Sequence, residues 1–233
     1  MICPAISVRK PNLIFGTATS DSTAVGFSNN GALTVTNGAT FDSGQVLIGP
    51  MPGATGTATA SGAGTVWTAE GVSVGFSGTG PFNVLNGAAV NAGLYDFSLA
   101  DALGSIGTAA VDGPGSTVTA SSVAVGNGGA GTLMISNGGT VIGNKWSNYI
   151  GHGPGAVGFV TVTGTGSRLI LDNNDLMIGQ GGTGTLTIAD GGFVSVSGGL
   201  KLGLLANSAG TINIGGAAGM AAAAAGTLDS ATL

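Results

Sequence analysis

Few side chains in this sequence could act as acids, bases, nucleophiles or metal ligands. The carboxylates number ten and are scattered: Asp21, Asp42, Glu70, Asp96, Asp101, Asp112, Asp172, Asp175, Asp190 and Asp229. Beside them stand one histidine, one cysteine and five Lys/Arg residues. Glycoside hydrolysis needs two carboxyl groups facing one cleft at a defined separation, and only Asp96/Asp101 and Asp172/Asp175 are near neighbours in the chain. Asp172-Asn173-Asn174-Asp175 reads as a turn, where Asx residues are expected; weak calcium binding is its other reading, since Ca²⁺ takes several such oxygens. His152 follows Ile150-Gly151 in a turn and has no second His, Cys or sequence-adjacent carboxylate. It is therefore expected to be a solvated turn residue rather than a metal ligand or triad member. Cys3 cannot form an internal disulfide and reads as an incidental terminal thiol. No catalytic, cofactor-binding or metal-binding residue is assigned, and no cofactor is expected.

Glycine motifs offer no alternative chemistry. Gly-x-Gly-x-x-Gly strings arise by chance among 47 glycines and lack the following helix that a nucleotide site requires. Gly128-Gly129-Ala130-Gly131 and Gly181-Gly182-Thr183-Gly184 begin like a calcium-binding nonapeptide, but leucine stands where its Asp must be. The most irregular segment is Asn144-Lys145-Trp146-Ser147-Asn148-Tyr149. Its aromatics, like Tyr95 and Phe97 one super-repeat earlier, either form an outward ledge for recognition or, the favoured reading, tuck against the body.

A net charge of −5 and a pI near 4.3 argue against a nucleic-acid partner, which needs a basic face, and against an anionic membrane surface. The hydrophobic share is 43%, too high for disorder driven by low hydrophobicity and high charge. Arg9 and Lys10 are followed by Pro-Asn and only a short apolar run, so no secretory signal is read here. Thr227 to Leu233 reads as a strand cut in mid-pattern, and the expectation is a piece of a longer chain.

These residues must be positioned by a repeat. Gly31-Ala-Leu-Thr-Val-Thr-Asn-Gly38, Gly131-Thr-Leu-Met-Ile-Ser-Asn-Gly138 and Gly184-Thr-Leu-Thr-Ile-Ala-Asp-Gly191 are near copies, with a degenerate one from Gly80 to Gly87. They alternate with phrases led by Gly56, Gly107, Gly158 and Gly210 that lack the Asn-Gly. In all eight copies the second and fourth residues after the leading glycine are apolar, from Leu33/Val35 to Ile212/Ile214. Strand side chains alternate between faces, so every copy points this pair inward. An apolar-x-apolar-Gly column, such as Val72-Ser-Val-Gly75 and Val123-Ala-Val-Gly126, repeats in step, and a third set includes Thr40-Phe41 and Phe193 to Val196. The expectation is an all-β, right-handed, single-stranded parallel β-helix of about eight rungs of about 25 residues, with three short strands per rung. Residues 24–216 would form the repeats, 1–23 a lead-in or cap, and 217–233 an Ala/Gly-rich segment and truncated strand. Asn37, Asn86, Asn137 and Asp190 are expected at left-handed corners. The alternation of unit types also makes a super-repeat of about 50 residues, the length of a kelch blade, but the half-period register has no place in a propeller.

The phrases GTLTIADGGFVSVSGGLKLG and AVGNGGAGTLMISNGGTVIG resemble the repeats of bacterial autotransporter passenger domains, over roughly Ala24 to Leu233. That resemblance implies a non-catalytic, surface-exposed rod or adhesin-like segment at the Gram-negative outer membrane, or secreted. It also implies a C-terminal outer-membrane β-barrel in the full-length protein and, as partner, a glycan or protein of a host or neighbouring cell. End-to-end self-association of exposed strand edges is a further expectation. The alternatives are a carbohydrate-active β-helix enzyme, which a cleft holding Asp96 or Asp101 with a second carboxylate would support, and, more distantly, an ice-binding solenoid. Only two of the eight outward pairs are complete Thr-x-Thr.

Overall fold

A computed structural model describes residues 6–8, 12–14, 16–172, 174–216 and 223–232, with side chains from residue 16 onward. Its described elements are β-strands and the turns between them, and the strands pair in parallel to form a β-solenoid of about eight turns. Cys3, Arg9 and Lys10 lie outside the described residues. Parallel pairing begins before residue 24, because Ile6–Val8 and Asn12–Ile14 pair with Thr17–Val25 and Asn30–Thr36. At the other end Thr227–Thr232 pairs with Phe193–Leu202.

The eight glycine-led phrases, with Asn12–Ile14 at one edge, form one nine-stranded sheet. Their register is the one the repeat demands: Gly31 faces Gly56, Gly107 faces both Gly80 and Gly131, and Gly158, Gly184 and Gly210 continue the row. The apolar pairs from Leu33/Val35 to Leu186/Ile188 are buried, while in the last strand Ile212 is half-buried and Ile214 exposed. A slip of one residue in any strand would turn that pair to solvent.

The other two columns do not remain separate strands. In the first turns they join into single bent strands, Thr17–Val25, Thr40–Ile48, Val66–Val74, Ala89–Leu99 and Thr117–Val125. The bend needs no chain reversal, so the ladder of backbone hydrogen bonds can run through it. Gly44 marks it: a Cβ there would lie 1.8 Å from the Asp21 carbonyl oxygen. Beyond Val125 this second sheet forks into Thr140–Gly143 with Arg168–Leu171 and Asn148–Ile150 with Leu176–Ile178, and Phe193–Leu202 rejoins the branches.

Between the sheets lies one apolar core. Its bulkiest part is a run of rings that crosses from sheet to sheet: Phe41–Trp67 at 5.3 Å, Trp67–Phe82 at 5.7 Å and Phe82–Phe97 at 6.0 Å between centroids. Buried Trp67 satisfies its indole N–H by donating to Ser43 Oγ at 2.9 Å, so no polar atom of the ring is stranded.

The alternation of unit types has a structural cause at the corners. Thr65, Ser116 and Ser167, in the units without Asn-Gly, are at most 1% exposed. Each hydroxyl accepts from the N–H of the glycine in the Asn-Gly corner one turn below, Gly38, Gly87 and Gly138, at 3.0 Å. Thr65 and Ser116 also donate to the carbonyls of Ser61 and Asp112. Two kinds of corner thus interlock in pairs, which gives the 50-residue super-repeat. Asn37, Asn86, Asn137 and Asp190 all have φ between 50° and 58°, a region Asn and Asp tolerate better than most residues.

At the opposite corner no side chain fits the leading glycine: a Cβ on Gly131 would lie 2.1 Å from Gly126 N. Gly131→Ala should therefore lower stability by about 2–3 kcal/mol, the cost of forcing bulk into a packed site. Gly93→Ala, where a Cβ meets nothing within 4 Å and φ is not positive, should change it by less than about 0.5 kcal/mol. Urea titrations of the two variants check this; equal effects would contradict it.

Candidate functional site

The uneven step between leading glycines locates the surface features. The turn from Gly80 to Gly107 is longer than its neighbours, and its surplus residues form a bulge. Ala69 pairs with Ala92 but Val72 with Phe97, so Gly93-Leu94-Tyr95 is pushed outward. Leu94 and Tyr95 are exposed, while Phe97 returns to the core. The turn from Gly131 to Gly158 carries a second excursion, Asn144 to Ser147, which opens the fork. The structure knits the two together: Lys145 Nζ and Ser121 Oγ both donate to the Gly93 carbonyl, at 2.7 and 3.0 Å.

The expected packing of these aromatics therefore holds only in part. Phe97 is buried, Tyr149 stacks on His152 with ring centroids 4.2 Å apart, and Tyr95 and Trp146 are each 49% exposed. Asn148 occupies an inward row where neighbouring turns carry Phe97, Val123 and Leu176. It is fully buried, and its Oδ1 accepts from Val123 N at 2.9 Å. The carbonyl that a continuous strand would present to Val123 is missing at the fork, and this amide replaces it. The apolar-x-apolar-Gly column could have shown this: Asn148-Tyr149-Ile150-Gly151 puts a polar residue in its first apolar slot.

Beside the bulge the outer surface is concave, with a volume of about 350 Å³ lined by Phe76, Tyr95, Asp96, Ser98, Asp101 and Asn127 among others. A neighbouring concavity of about 480 Å³ lies at the bend of the first turns, lined by Asp21, Asp42 and Glu70 with Ser and Thr residues. Stacking brings Asp96 and Asp101 onto one surface, and it also brings His152 to them. The residues after each left-handed corner form a column, Phe76, Asp101, Asn127 and His152. Asp101 Oδ1 accepts from Asn127 Nδ2 at 3.1 Å, and Asn127 Oδ1 lies 2.7 Å from His152 Nδ1. A carboxylate can only accept, so Asn127 turns its NH₂ to Asp101 and its oxygen to His152, and the imidazole must carry its proton on Nδ1. Ser98 donates to Asp101 Oδ2 at 3.0 Å, which leaves Ser73 to donate to Ser98 at 3.2 Å. Five side chains from four turns are thus fixed in one direction of hydrogen bonding. Ala100, just before Asp101, has φ 59° where the other turns use glycine; a Cβ in this region costs about 1 kcal/mol.

His152 is therefore not the solvated, isolated residue expected. Tyr149 stacks on it from three residues away, but its polar neighbours Asn127, Asp101 and Asp96 lie a turn or more away in sequence, and adjacency along the chain does not reveal them. Burial pushes the imidazole below its ordinary value of 6.5, opposed by the charge of Asp96. Burial raises the Asp96 carboxyl, the nearby Asp101 charge adds to this, and His152 opposes it. Asp96 Oδ1 is buried without a hydrogen-bond partner.

Asp175, in the other acidic turn, is engaged differently. Its Oδ1 accepts from Gly199 N at 2.7 Å and its Oδ2 pairs with Lys201 Nζ at 2.5 Å. The Lys201 hydrogen bond, and then that of Gly199, hold the carboxyl below the usual range. Asp172 is exposed at the end of Arg168–Leu171, and Asn173 lies outside the described residues. Among the described residues no group of three His, Cys, Asp or Glu side chains is disposed to hold a metal.

His152 is the sole histidine, so its titration can be read without assignment. Its folded pKa lies below the unfolded one, so the unfolded chain takes up the proton first as pH falls, and acid favours unfolding. The His152 ring resonances should titrate below pH 6.5. The wild type should lose thermal stability relative to His152→Gln between pH 7 and 5. A midpoint at or above 6.5 would contradict the burial and orientation described.

The chain is 38% identical over 118 residues to the uncharacterized lipoprotein YdeK of Escherichia coli (strain K12), a match covering 50% of this chain and 9% of that protein. The chain thus spans only a small part of the length of that relative. No family model and no solved structure matches it.

Proposed function

We propose that this chain is a non-catalytic rod of an exported, envelope-associated protein, an adhesin-like segment of the kind found in autotransporter passengers. The observation that carries the reading is continuous parallel stacking from Ile6–Val8 to Thr227–Thr232. Such a stack holds surface features at intervals of ~4.8 Å along its axis. Its chemistry-bearing side chains are largely spent on the stack itself, as Asp101, Asn127 and Asp175 show. The likeness to a lipoprotein supports a place in the cell envelope, because a bacterial lipoprotein is held there by its lipid. The partner would be a glycan or protein of a host or neighbouring cell, and the full-length protein would end in an outer-membrane β-barrel.

A second reading has a specific observation in its favour. Asp96 and Asp101 line one concavity, the arrangement a carbohydrate-active enzyme would need. Against it, both oxygens of Asp101 are already engaged, accepting from Ser98 and Asn127 within the stack.

Gram-negative cells producing the full-length gene product, probed with antibody to this chain, test the main reading. Intact cells should label, and external protease should remove the label. Labelling only after lysis would contradict surface display. Release of reducing or unsaturated sugars from polysaccharides by the purified protein would replace the non-catalytic reading with the second one.

A further inference from the structure

We propose that the concavity between Phe76 and Tyr95 is a binding subsite for a neutral sugar of a cell-surface glycan. This rests on the adhesin-like reading and names the site and ligand class that reading lacks. Three features of the surface point to it. The first is a pair of aromatic walls: Phe76 and Tyr95 line the hollow and remain 38% and 49% exposed. A ring left open to water offers its face to the C–H face of a pyranose. The second is the fixing of those walls. Tyr95 is carried out on the Gly93-Leu94-Tyr95 bulge, whose Gly93 carbonyl is held by Ser121 and Lys145. Its Cβ packs over Gly71, where any side chain would begin 2.8 Å away. A pre-positioned wall loses little entropy when a ligand docks.

The third feature is the polar floor. Asp96 lines the hollow and is half-buried, with Oδ1 turned inward and unpartnered; a sugar hydroxyl would donate to the part of the carboxyl group that faces the hollow. Asp101 and Asn127 are held by the Ser98 and His152 hydrogen bonds, which fixes the direction in which their remaining lone pairs and protons can be used. At about 350 Å³ the hollow lies at the small end of ligand sites, about 300–1,000 Å³. It suits one sugar unit of a longer chain lying across the surface.

The charge selects among sugars. The lining contains two carboxylates and no Lys or Arg, and the next concavity along the bend adds Asp21, Asp42 and Glu70. Uronic and sialic acids would meet like charge with no cation in the lining to receive them. Trp146 is as exposed as Tyr95 but does not line the hollow, so it serves as an internal control.

The test is isothermal titration of the full chain with hexamers of glucose in α- and β-linkage, hexamers of N-acetylglucosamine, and an oligogalacturonate. At least one neutral oligomer should bind with Kd of about 1 mM or tighter. Tyr95→Ala and Asp96→Asn should each weaken it about tenfold or more, while Trp146→Ala leaves it unchanged. The oligogalacturonate should not bind. Thermal melts of both variants must match the wild type within a few degrees, and Tyr95→Phe, which keeps the ring, should retain binding. Absence of binding by every neutral oligomer at 10 mM, preference for the oligogalacturonate, or binding indifferent to Tyr95→Ala and Asp96→Asn would each overturn the proposal. Labelling of intact cells reads surface display independently, so a failed sugar site and a failed envelope assignment give different results.

Discussion

At one corner of every turn the chain passes so close to the turn beside it that only a hydrogen fits. The leading glycines Gly56, Gly107, Gly131, Gly158, Gly184 and Gly210 would each drive a Cβ to within 2.2 Å of backbone belonging to the other sheet or to the corner glycine. This approach lets the two sheets meet at an angle tight enough to enclose a core built from Val, Ile, Leu and Ala. The close contact also sets the register. A strand that slips by one residue meets the clash with its first side chain and exposes its apolar pair. Two penalties therefore enforce the same alignment, in turns of 24 to 27 residues.

Given that constraint, length differences between turns can go only one way. Surplus residues cannot enter the ladder, so they leave the surface as bulges. The turns that gain residues are those carrying Tyr95 and Trp146. The fork in the second sheet is the limiting case. There the excursion at Asn144 to Ser147 breaks a strand in two, and buried Asn148 supplies the missing acceptor. Variation along such a solenoid is thus confined to a few outward positions, while the core and corners stay uniform. This is the pattern expected if recognition resides on bulges and support in the stack.

Much of this was legible in the residues alone. The eight-copy alternation of Leu33/Val35 and its counterparts identifies the parallel stack, its register and the buried face, because period two has one meaning in a paired strand. The left-handed corners at Asn37, Asn86, Asn137 and Asp190 follow from Asx-Gly chemistry. The merging of two expected strands into one was not legible, since a gentle bend at Gly44 and a chain reversal at another glycine look alike in sequence. Nor was the environment of His152. Its partners Asn127, Asp101 and Asp96 are separated from it by one and two turns, and they become neighbours only once the rungs are stacked. The surplus in the Gly80–Gly107 and Gly131–Gly158 steps was visible, but not which residues the stack would expel.

The claim on which all else rests is that successive turns are one rung apart in fixed register. Spin labels on outward threonines of the glycine-led sheet test it, measured by double electron–electron resonance. Thr34 and Thr161 are five rungs apart and Thr34 and Thr187 six. The distances should be about 24 and 29 Å, an increment of ~4.8 Å per rung, each with a narrow distribution beyond the width of the label. Broad distributions, or distances that do not grow by one rung between the two pairs, would contradict the stacked register and with it the placement of every surface residue described above.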